Sequence, residues 1–261
     1  MTAEPEPHTA GVIRGQGAVV VALQDTLRTL DSPAVWLERH GRLLKSEHAD
    51  VVGLIDLAGR TCYIKFFCAR SFVQRLGFAL GLSRAPRAFD AGMQLAGHGL
   101  PVAQPLACLR LPAAMVLLTT AIQGVDLKAL WLSSRAEDDW LAIISSAAAT
   151  LARLHTAGFV HGDCKWANLL WDGHEVIMVD LDSVKQSSSA RRRGRDLARF
   201  VLNAEELSID KEIFETFVSV YAKSTGAEKA AVIELLAPVL AQLRRRHNDK
   251  YGQRGVRLVG E

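Results

Sequence analysis

Several features that would define a functional class are rare or absent in this sequence of 261 residues. It has only four cysteines, none in a Cys-x-x-Cys pair, so neither a zinc site nor a disulfide framework is indicated. No run of about 18 apolar residues occurs, which argues against a membrane-spanning helix. The formal net charge of +3 is too small to indicate a nucleic-acid partner. We therefore expect a cytoplasmic protein with reduced thiols.

The N-terminal segment also lacks a targeting signal. Residues 1–10 are acidic and contain proline, without the basic start and apolar stretch of a secretory signal, so we expect a disordered tail. The remaining chain can build a core, because 49% of all residues are hydrophobic.

Strand patterns dominate the first half of the chain. Residues 51–57 and 61–67 are rich in β-branched and aromatic side chains and are separated by an Ala-Gly turn, which predicts a β-hairpin. Because side chains alternate along a strand, Tyr63 and Lys65 should lie on the face opposite Ile64. Lysine is depleted in such strands, so Lys65 is a candidate functional residue.

Helical periodicity dominates the second half. A further strand is predicted at 113–120, while 18–23 could be a strand or the start of a helix. The predicted helices are 83–97, 125–131, 140–157, and, within a helical region at 195–246, residues 209–224 and 228–246. The helix at 83–97 is expected to bury Ala85, Phe89, Met93 and Ala96. Short strands at 169–171 and 176–179 follow the long helix. Early strands and late helices indicate the α+β class.

A group of polar residues lies just after the long helix. Residues 161–168 read His-Gly-Asp-Cys-Lys-Trp-Ala-Asn, which resembles the HxDxKxxN catalytic loop of kinases. Asp180 follows in the position of the aspartate of the kinase DFG segment, and Lys65 precedes in the position of the kinase strand lysine. Each of these three fragments alone is weak evidence for a kinase. Their order along the chain, and the strands and helices on which they are predicted to lie, together indicate a phosphotransferase.

Phosphoryl transfer depends on positioning and charge neutralisation, which explains these residue types. Asp163 would hold the acceptor hydroxyl and accept its proton. Asn168 and Asp180 would supply oxygen ligands to the Mg²⁺ of ATP. Lys65 would hold the α- and β-phosphates, and Lys165 would stabilise charge on the transferring group.

Each residue alone also has a simpler interpretation. Asp163 and Asn168 could be turn residues, and Asp180 could end a strand. Asp182 is either a third carboxylate beside the metal or an ordinary loop residue. His161 is expected to pack the loop and bond to the backbone.

The segment 151–182 resembles the lipopolysaccharide kinase family, whose members phosphorylate heptose or Kdo sugars of the lipopolysaccharide inner core. Residues 83–105, with Gly-Leu-Pro and a later proline, resemble a helix and link of that family. Residues 180–182 and 195–199 resemble its DFG replacement and its following helix. The resemblance covers roughly residues 43–200.

This resemblance implies a two-lobed protein kinase-like fold that uses ATP and Mg²⁺. A β-rich N-lobe would span 11–119 and a helical C-lobe 120–261, with a hinge at 120–123. ATP would lie between the lobes, with its base near the hinge and Leu170. The acceptor would be a sugar of the lipopolysaccharide core.

The sequence departs from the kinase pattern at three places. The phosphate-covering loop should lie at 44–50, which contains no glycine, so Ser46 or backbone amides would replace it. The helix carboxylate that pairs with Lys65 would be Asp90, which is one methylene shorter than the usual glutamate. No APE segment follows Asp180, so regulation by loop phosphorylation is not expected.

Basic residues form three groups, which are either solvated faces or contacts with an anionic glycolipid at the inner membrane. The groups are Arg70, Arg75, Arg84 and Arg87, interleaved with Phe72, Leu76, Phe78 and Leu82; Arg191–Arg193 with Arg195; and Arg244–Arg246. The last group could instead complement the C-terminus of a helix.

Two other functions remain open from the sequence. The chain could be a kinase of another small molecule or of a protein, or a nucleotide-binding pseudokinase, which the missing glycine loop would favour. Aminoglycoside and choline phosphotransferases share His-Gly-Asp, but only about 40 residues separate the hinge from His161, which leaves no room for their helical insert.

Overall fold

The computed structural model describes residues 10–47, 50–80, 83–133, 139–252 and 255–260. The chain divides into two compact units. The first comprises Met1–Gln94 with Ala103–Ala121, and the second Leu95–Val102 with Ile122–Glu261. A β-rich first part and a helical second part confirm the predicted α+β class.

The first unit is built on an antiparallel sheet, six-stranded in the described part of the chain. Its strands are β1 (Gly11–Arg14), β2 (Gly41–Glu47), β3 (Asp50–Leu57), β4 (Arg60–Cys68), β5 (Pro105–Arg110) and β6 (Ala114–Thr120). They lie in the order β1-β5-β6-β4-β3-β2. The predicted hairpin is confirmed as β3 and β4, and Lys65 lies in register with Val52 and Leu117.

Helices cover both faces of this sheet. They are α1 (Ala18–Leu27), α2 (Pro33–His40), α3 (Phe72–Ala79) and α4 (Arg84–Gly97). Ile64 and Phe66 join residues of α1 and α2 in one core, whereas Phe67 packs with residues of α4 in another. The predicted alternation along β4 is therefore confirmed. The segment at 18–23, for which the sequence allows a strand or a helix, is helical.

The buried face of α4 differs from the predicted one. Ala85 and Phe89 are buried as expected, but Met93 is 51% exposed, while Ala88 and Leu95 are buried instead. A spacing of four residues drifts by about 40° per step around a helix of 3.6 residues per turn, so two such steps carry Met93 out of the contact.

The predicted phosphate-covering loop at 44–50 lies only partly in the described structure. Residues 44–47 belong to β2 and residue 50 begins β3, whereas residues 48 and 49 lie outside the described residues. Residues 1–9 of the predicted tail also lie outside them, and Ala10 is buried.

The second unit is mainly helical. Its elements are β7 (Val125–Asp126), α5 (Leu127–Leu132), α6 (Trp140–Thr156), β8 (Phe159–Val160), β9 (Leu169–Trp171), β10 (Val176–Met178), β11 (Lys185–Gln186), α7 (Ala190–Glu206), α8 (Lys211–Thr225) and α9 (Lys229–Tyr251). One apolar core joins these elements and includes Leu151, Trp166, Phe200 and Phe217.

Specific residues define both ends of α6. The Asp139 side chain accepts a hydrogen bond from the Ala142 backbone N–H at 3.0 Å, which caps the first turn. Gly158 follows the last turn with a φ of 82°, a left-handed conformation that glycine adopts at little cost. After Gly158 the chain therefore continues into β8 and the loop that follows it.

The division of the chain into two units differs from the predicted division into lobes at residues 95–102. We assigned this segment to the N-lobe, but Leu95, Leu100 and Val102 are buried in the core of the second unit. A hydrogen bond from the Met178 N–H to the Pro101 carbonyl at 2.9 Å attaches it to β10.

Two expectations about the whole chain can also be compared with the structure. No helix in the described ranges is both long and apolar enough to cross a membrane. All four cysteines are free in the structure.

Candidate active site

The candidate catalytic loop, residues 161–168, connects β8 to β9 in the second unit. Gly162 has a φ of 79°, and a Cβ there would lie 2.6 Å from the Ser183 carbonyl oxygen. Both the backbone angle and the close approach require glycine. The loop and the 181–183 turn are therefore packed directly against each other.

A buried carboxylate on α7 holds the first residues of this loop. Asp196 is 1% exposed and accepts hydrogen bonds from the backbone N–H groups of His161 at 2.6 Å and Gly162 at 2.9 Å. His155 Nε2 lies 3.4 Å from the same carboxylate, and His155 Nδ1 lies 2.7 Å from the Tyr221 hydroxyl. Burial raises the pKa of Tyr221 to about 12, so the phenol is neutral near pH 7.

Two further bonds connect the loop to α7. The Trp166 backbone N–H donates to Asn203 Oδ1 at 3.0 Å, and its indole N–H donates to the Phe200 carbonyl at 3.1 Å. Trp166 is completely buried. The loop is therefore fixed to one helix at both of its ends, which limits the movement of the residues between them.

Asp163 lies between these fixed ends, with its side chain 33% exposed. One carboxylate oxygen accepts from the Arg199 guanidinium. The other lies 3.1 Å from Lys165 Nζ and 3.2 Å from Asn168 Nδ2. Three of the predicted site residues, Asp163, Lys165 and Asn168, are therefore in direct contact with one another.

His161 connects this loop to the segment that carries Asp180. Its Nε2–H donates to the Val179 carbonyl at 3.2 Å, and the Val179 N–H donates to the Asn168 carbonyl at 3.0 Å. Burial lowers the pKa of His161, which keeps the imidazole neutral. This agrees with the predicted structural role of His161.

Asp180 itself has a left-handed backbone, with φ 57° and ψ 58°. This conformation is uncommon for a residue other than glycine and concentrates at functional sites. Asp182 lies within the following 3₁₀ turn, Leu181–Ser183.

Cys164 lies next to Asp163 in the loop. It is completely buried, and this burial raises its pKa well above the usual range. A neutral buried thiol is neither a nucleophile nor a good metal ligand.

Lys65 lies in the first unit, where 9% of the residue is exposed. Its ammonium nitrogen is 4.8 Å from the centre of the Phe67 ring, on the face of β4 that packs against α4. Lysine is seldom buried to this extent, which makes Lys65 a candidate functional residue.

The predicted pairing of Lys65 with Asp90 is wrong. The Asp90 carboxylate is instead bound by Arg14, at 2.9 and 3.2 Å to its two oxygens. Arg14 lies on the edge strand β1, and two strands separate β1 from the β4 strand of Lys65. Neighbouring strands are about 4.8 Å apart, so the backbones of β1 and β4 are roughly 14 Å apart.

The sequence argument missed two side chains of the site, Asp196 and Arg199. Both were noted only as part of a helix that resembles a family feature. A usable signal was present, because residues three apart on a helix share a face. An acid and a base at that spacing can point to the same side of the helix, which indicates a polar contact there.

The oxygen donors at this site suit a divalent cation. No three His, Cys, Asp or Glu side chains in the described ranges lie close enough to enclose a metal ion. Mg²⁺ does not require such a cage, because in kinases one or two protein ligands act together with phosphates and water. Asn168 directs its amide nitrogen to Asp163, which leaves its Oδ1 atom as a candidate metal ligand.

Comparison with solved structures defines the class of protein. WaaP in complex with acyl carrier protein superposes with a TM-score of 0.59 and 18% identity, over 84% of this chain and 93% of that one. An aminoglycoside phosphotransferase from Streptomyces rimosus superposes with a TM-score of 0.52 and 17% identity, over 85% of this chain and 98% of that one. The fold is protein kinase-like, as predicted.

The family follows from the sequence. The profile of the lipopolysaccharide kinase (Kdo/WaaP) family matches residues 31–221, and the chain belongs to this family. The resemblance found at 151–182 is thereby confirmed, and the protein is a kinase. No curated protein matches the chain significantly by sequence.

Proposed function

We propose that this kinase transfers the γ-phosphate of ATP to a sugar hydroxyl of the lipopolysaccharide core. The observation that carries the proposal is the Asp163 carboxylate, which is held by Lys165, Asn168 and Arg199 within a loop fixed to α7. A positioned carboxylate surrounded by cations is what phosphoryl transfer to a hydroxyl requires.

In this proposal Asp163 orients the acceptor hydroxyl and accepts its proton as the new bond to phosphorus forms. Lys165, and Arg199 when it exchanges partners, stabilise the negative charge on the transferring group. Release of Asp163 from one of these cations as the acceptor arrives would leave the carboxylate free to accept the proton.

Three residues would bind the nucleotide. Asn168 and Asp180 would provide the oxygen ligands for Mg²⁺, and Lys65 would hold the α- and β-phosphates. The bound Mg²⁺ would supply neutralisation of the phosphate charge. The absence of glycine at 44–50 means that side chains or backbone amides other than those of a glycine-rich loop cover the phosphates.

The direct test uses γ-labelled ATP and core lipopolysaccharide from a strain that lacks this gene. We expect the label to appear on the glycolipid, because that acceptor still carries the free hydroxyl. If nucleotide binds but the label stays on ATP, either the core lipopolysaccharide is not the acceptor or the chain is a nucleotide-binding pseudokinase. If the label appears only on a protein or a free sugar, the acceptor class is wrong.

We also propose that α3 contacts an anionic membrane surface. The helix exposes Phe72 (79%), Val73 (76%) and Leu76 (54%), and no residue of it is buried. Arg70 and Arg75 flank these side chains, and α3 contains no acidic residue. Exposed apolar side chains with basic neighbours are typical of interfacial helices. Leu82, which we had included in this patch, lies outside the described residues.

Replacing Phe72 and Leu76 by glutamate should weaken binding to phosphatidylglycerol vesicles at least about tenfold, since each apolar side chain contributes roughly 1.5–3 kcal/mol when buried. Vesicle co-sedimentation measures this. The matched control replaces Val21 (57% exposed) and Leu132 (69% exposed) by glutamate. Equal binding by the two double variants would contradict a membrane role of α3.

A further inference from the structure

A basic cavity lies in the second unit between the start of α7 and the C-terminal half of α9. Its volume is about 410 Å³, within the range of pockets that hold small ligands. The residues that line it are Ser189, Arg191, Arg192 and Arg195 from the α7 side, and Val239, Gln242, Leu243 and Arg246 from α9. Two arginine groups that are about 50 positions apart in the sequence therefore meet at one site.

Among the residues that the structure describes, no carboxylate compensates the charge of this cavity. Its lining has four arginines and no carboxylate. None of these four arginines forms an ion pair with another residue of the described ranges, whereas nearby Arg244 is bound to buried Glu205 at 2.9 Å. Arg244 is thus structural, while the cavity arginines repel one another unless an anion lies between them.

The chemistry of the lining favours phosphate. Arginine presents a planar fork of N–H donors that binds phosphate oxygens in pairs. The cavity also lies at the start of α7, where Ser189 is the N-cap residue but its side chain makes no capping bond. The first-turn N–H groups and the helix dipole therefore add to the attraction for an anion.

The cavity is connected to Asp163 by a line of arginines on α7. Arg192, Arg195 and Arg199 are spaced by three and four residues, which places them on one side of the helix. Arg199 is the residue that contacts Asp163. With a rise of 1.5 Å per residue, the backbone of Arg192 is only about 10 Å along the axis from that of Arg199.

We propose that this cavity binds a phosphate group that the acceptor already carries, so that the acceptor lies along α7 with a hydroxyl at Asp163. The substrate is then a phosphorylated sugar or glycolipid rather than a neutral one. This inference rests on the proposed phosphotransferase function, and it adds a specificity site outside the catalytic loop.

The test compares two neighbouring exposed arginines of α9. Arg246 lines the cavity and Arg245 does not, so Arg246→Glu and Arg245→Glu make the same charge change at adjacent positions. With core lipopolysaccharide that keeps its other phosphates, Arg246→Glu should lower kcat/KM roughly tenfold or more, mainly through KM, because hydrogen bonds to charged groups are strong. Arg245→Glu should change it less than about threefold.

A second comparison uses the same acceptor after phosphatase has removed its phosphates. Wild-type enzyme should use it less well, and Arg246→Glu should make no further difference. Equal use of both acceptors by the wild type would overturn the proposal. Equal losses of kcat/KM in Arg246→Glu and Arg245→Glu would also overturn it, because they would indicate general electrostatic steering. If Arg246→Glu loses binding to phosphatidylglycerol vesicles but keeps its kinetics, the cavity binds lipid headgroups and the proposal is overturned.

A binding measurement separates this proposal from the proposed function. Calorimetric titration of phosphorylated core into Asp163→Asn protein should give at least about tenfold weaker binding when Arg246→Glu is added, but not when Arg245→Glu is added. If the wild type transfers no phosphate, the proposed function fails, and this titration still decides whether the cavity binds the phosphate.

Discussion

Replacement of Asp163 by asparagine is expected to lower kcat for phosphate transfer roughly 10²–10⁴-fold, because an amide of nearly the same shape cannot accept the proton of the acceptor hydroxyl. The side chain is one-third exposed, so the loss of its charge next to Arg199 and Lys165 should leave the fold intact. The binding of ATP should change little, since Asp163 is not assigned to the nucleotide. Steady-state kinetics with labelled ATP and a nucleotide titration measure the two effects.

The control for this experiment is Asp210→Asn. Asp210 is exposed at the start of α8, where its side chain makes no capping bond. The same chemical change there should leave kcat within about twofold. Activity of Asp163→Asn close to that of the wild type would mean that another group accepts the proton, and the assignment of the site would have to be abandoned.

Replacement of Asp196 by asparagine should affect both stability and catalysis. The carboxylate accepts from the N–H groups of His161 and Gly162 in a site that is 1% exposed. An amide group there would turn an NH₂ toward one of these donors and leave a buried N–H without an acceptor. We expect a loss of roughly 2–4 kcal/mol in the free energy of unfolding.

Urea denaturation measures this loss, and the enzyme that remains folded should show a lowered kcat with little change in KM for ATP. We expect kcat to fall without a change in KM for ATP because Asp196 positions the loop of Asp163 and does not touch the proposed nucleotide ligands. Asp210→Asn again serves as the control and should stay within about 0.5 kcal/mol of the wild type. A stable, fully active Asp196→Asn protein would show that the loop holds its shape without this carboxylate.

Sequence patterns predicted the structure correctly where it depends on residues that are close together in the chain. The hairpin of β3 and β4, the alternation at Lys65 and the helix that ends at Gly158 depend on residues a few positions apart. The loop at 161–168 was found for the same reason, because its candidate site residues lie within one short segment. The failure at Met93 shows the limit, since the width of a buried face depends on what packs against it.

The α+β class, the kinase-like loop and the family can all be recognised from the order of the amino acids. The partners of the charged side chains become known only from the folded chain. Arg199 meets Asp163 across 36 positions, Asp90 meets Arg14 across 76, and the arginines of α7 meet Arg246 at one cavity. Such pairs depend on how helices and strands pack, and the period of an element carries no information about which distant element lies opposite it.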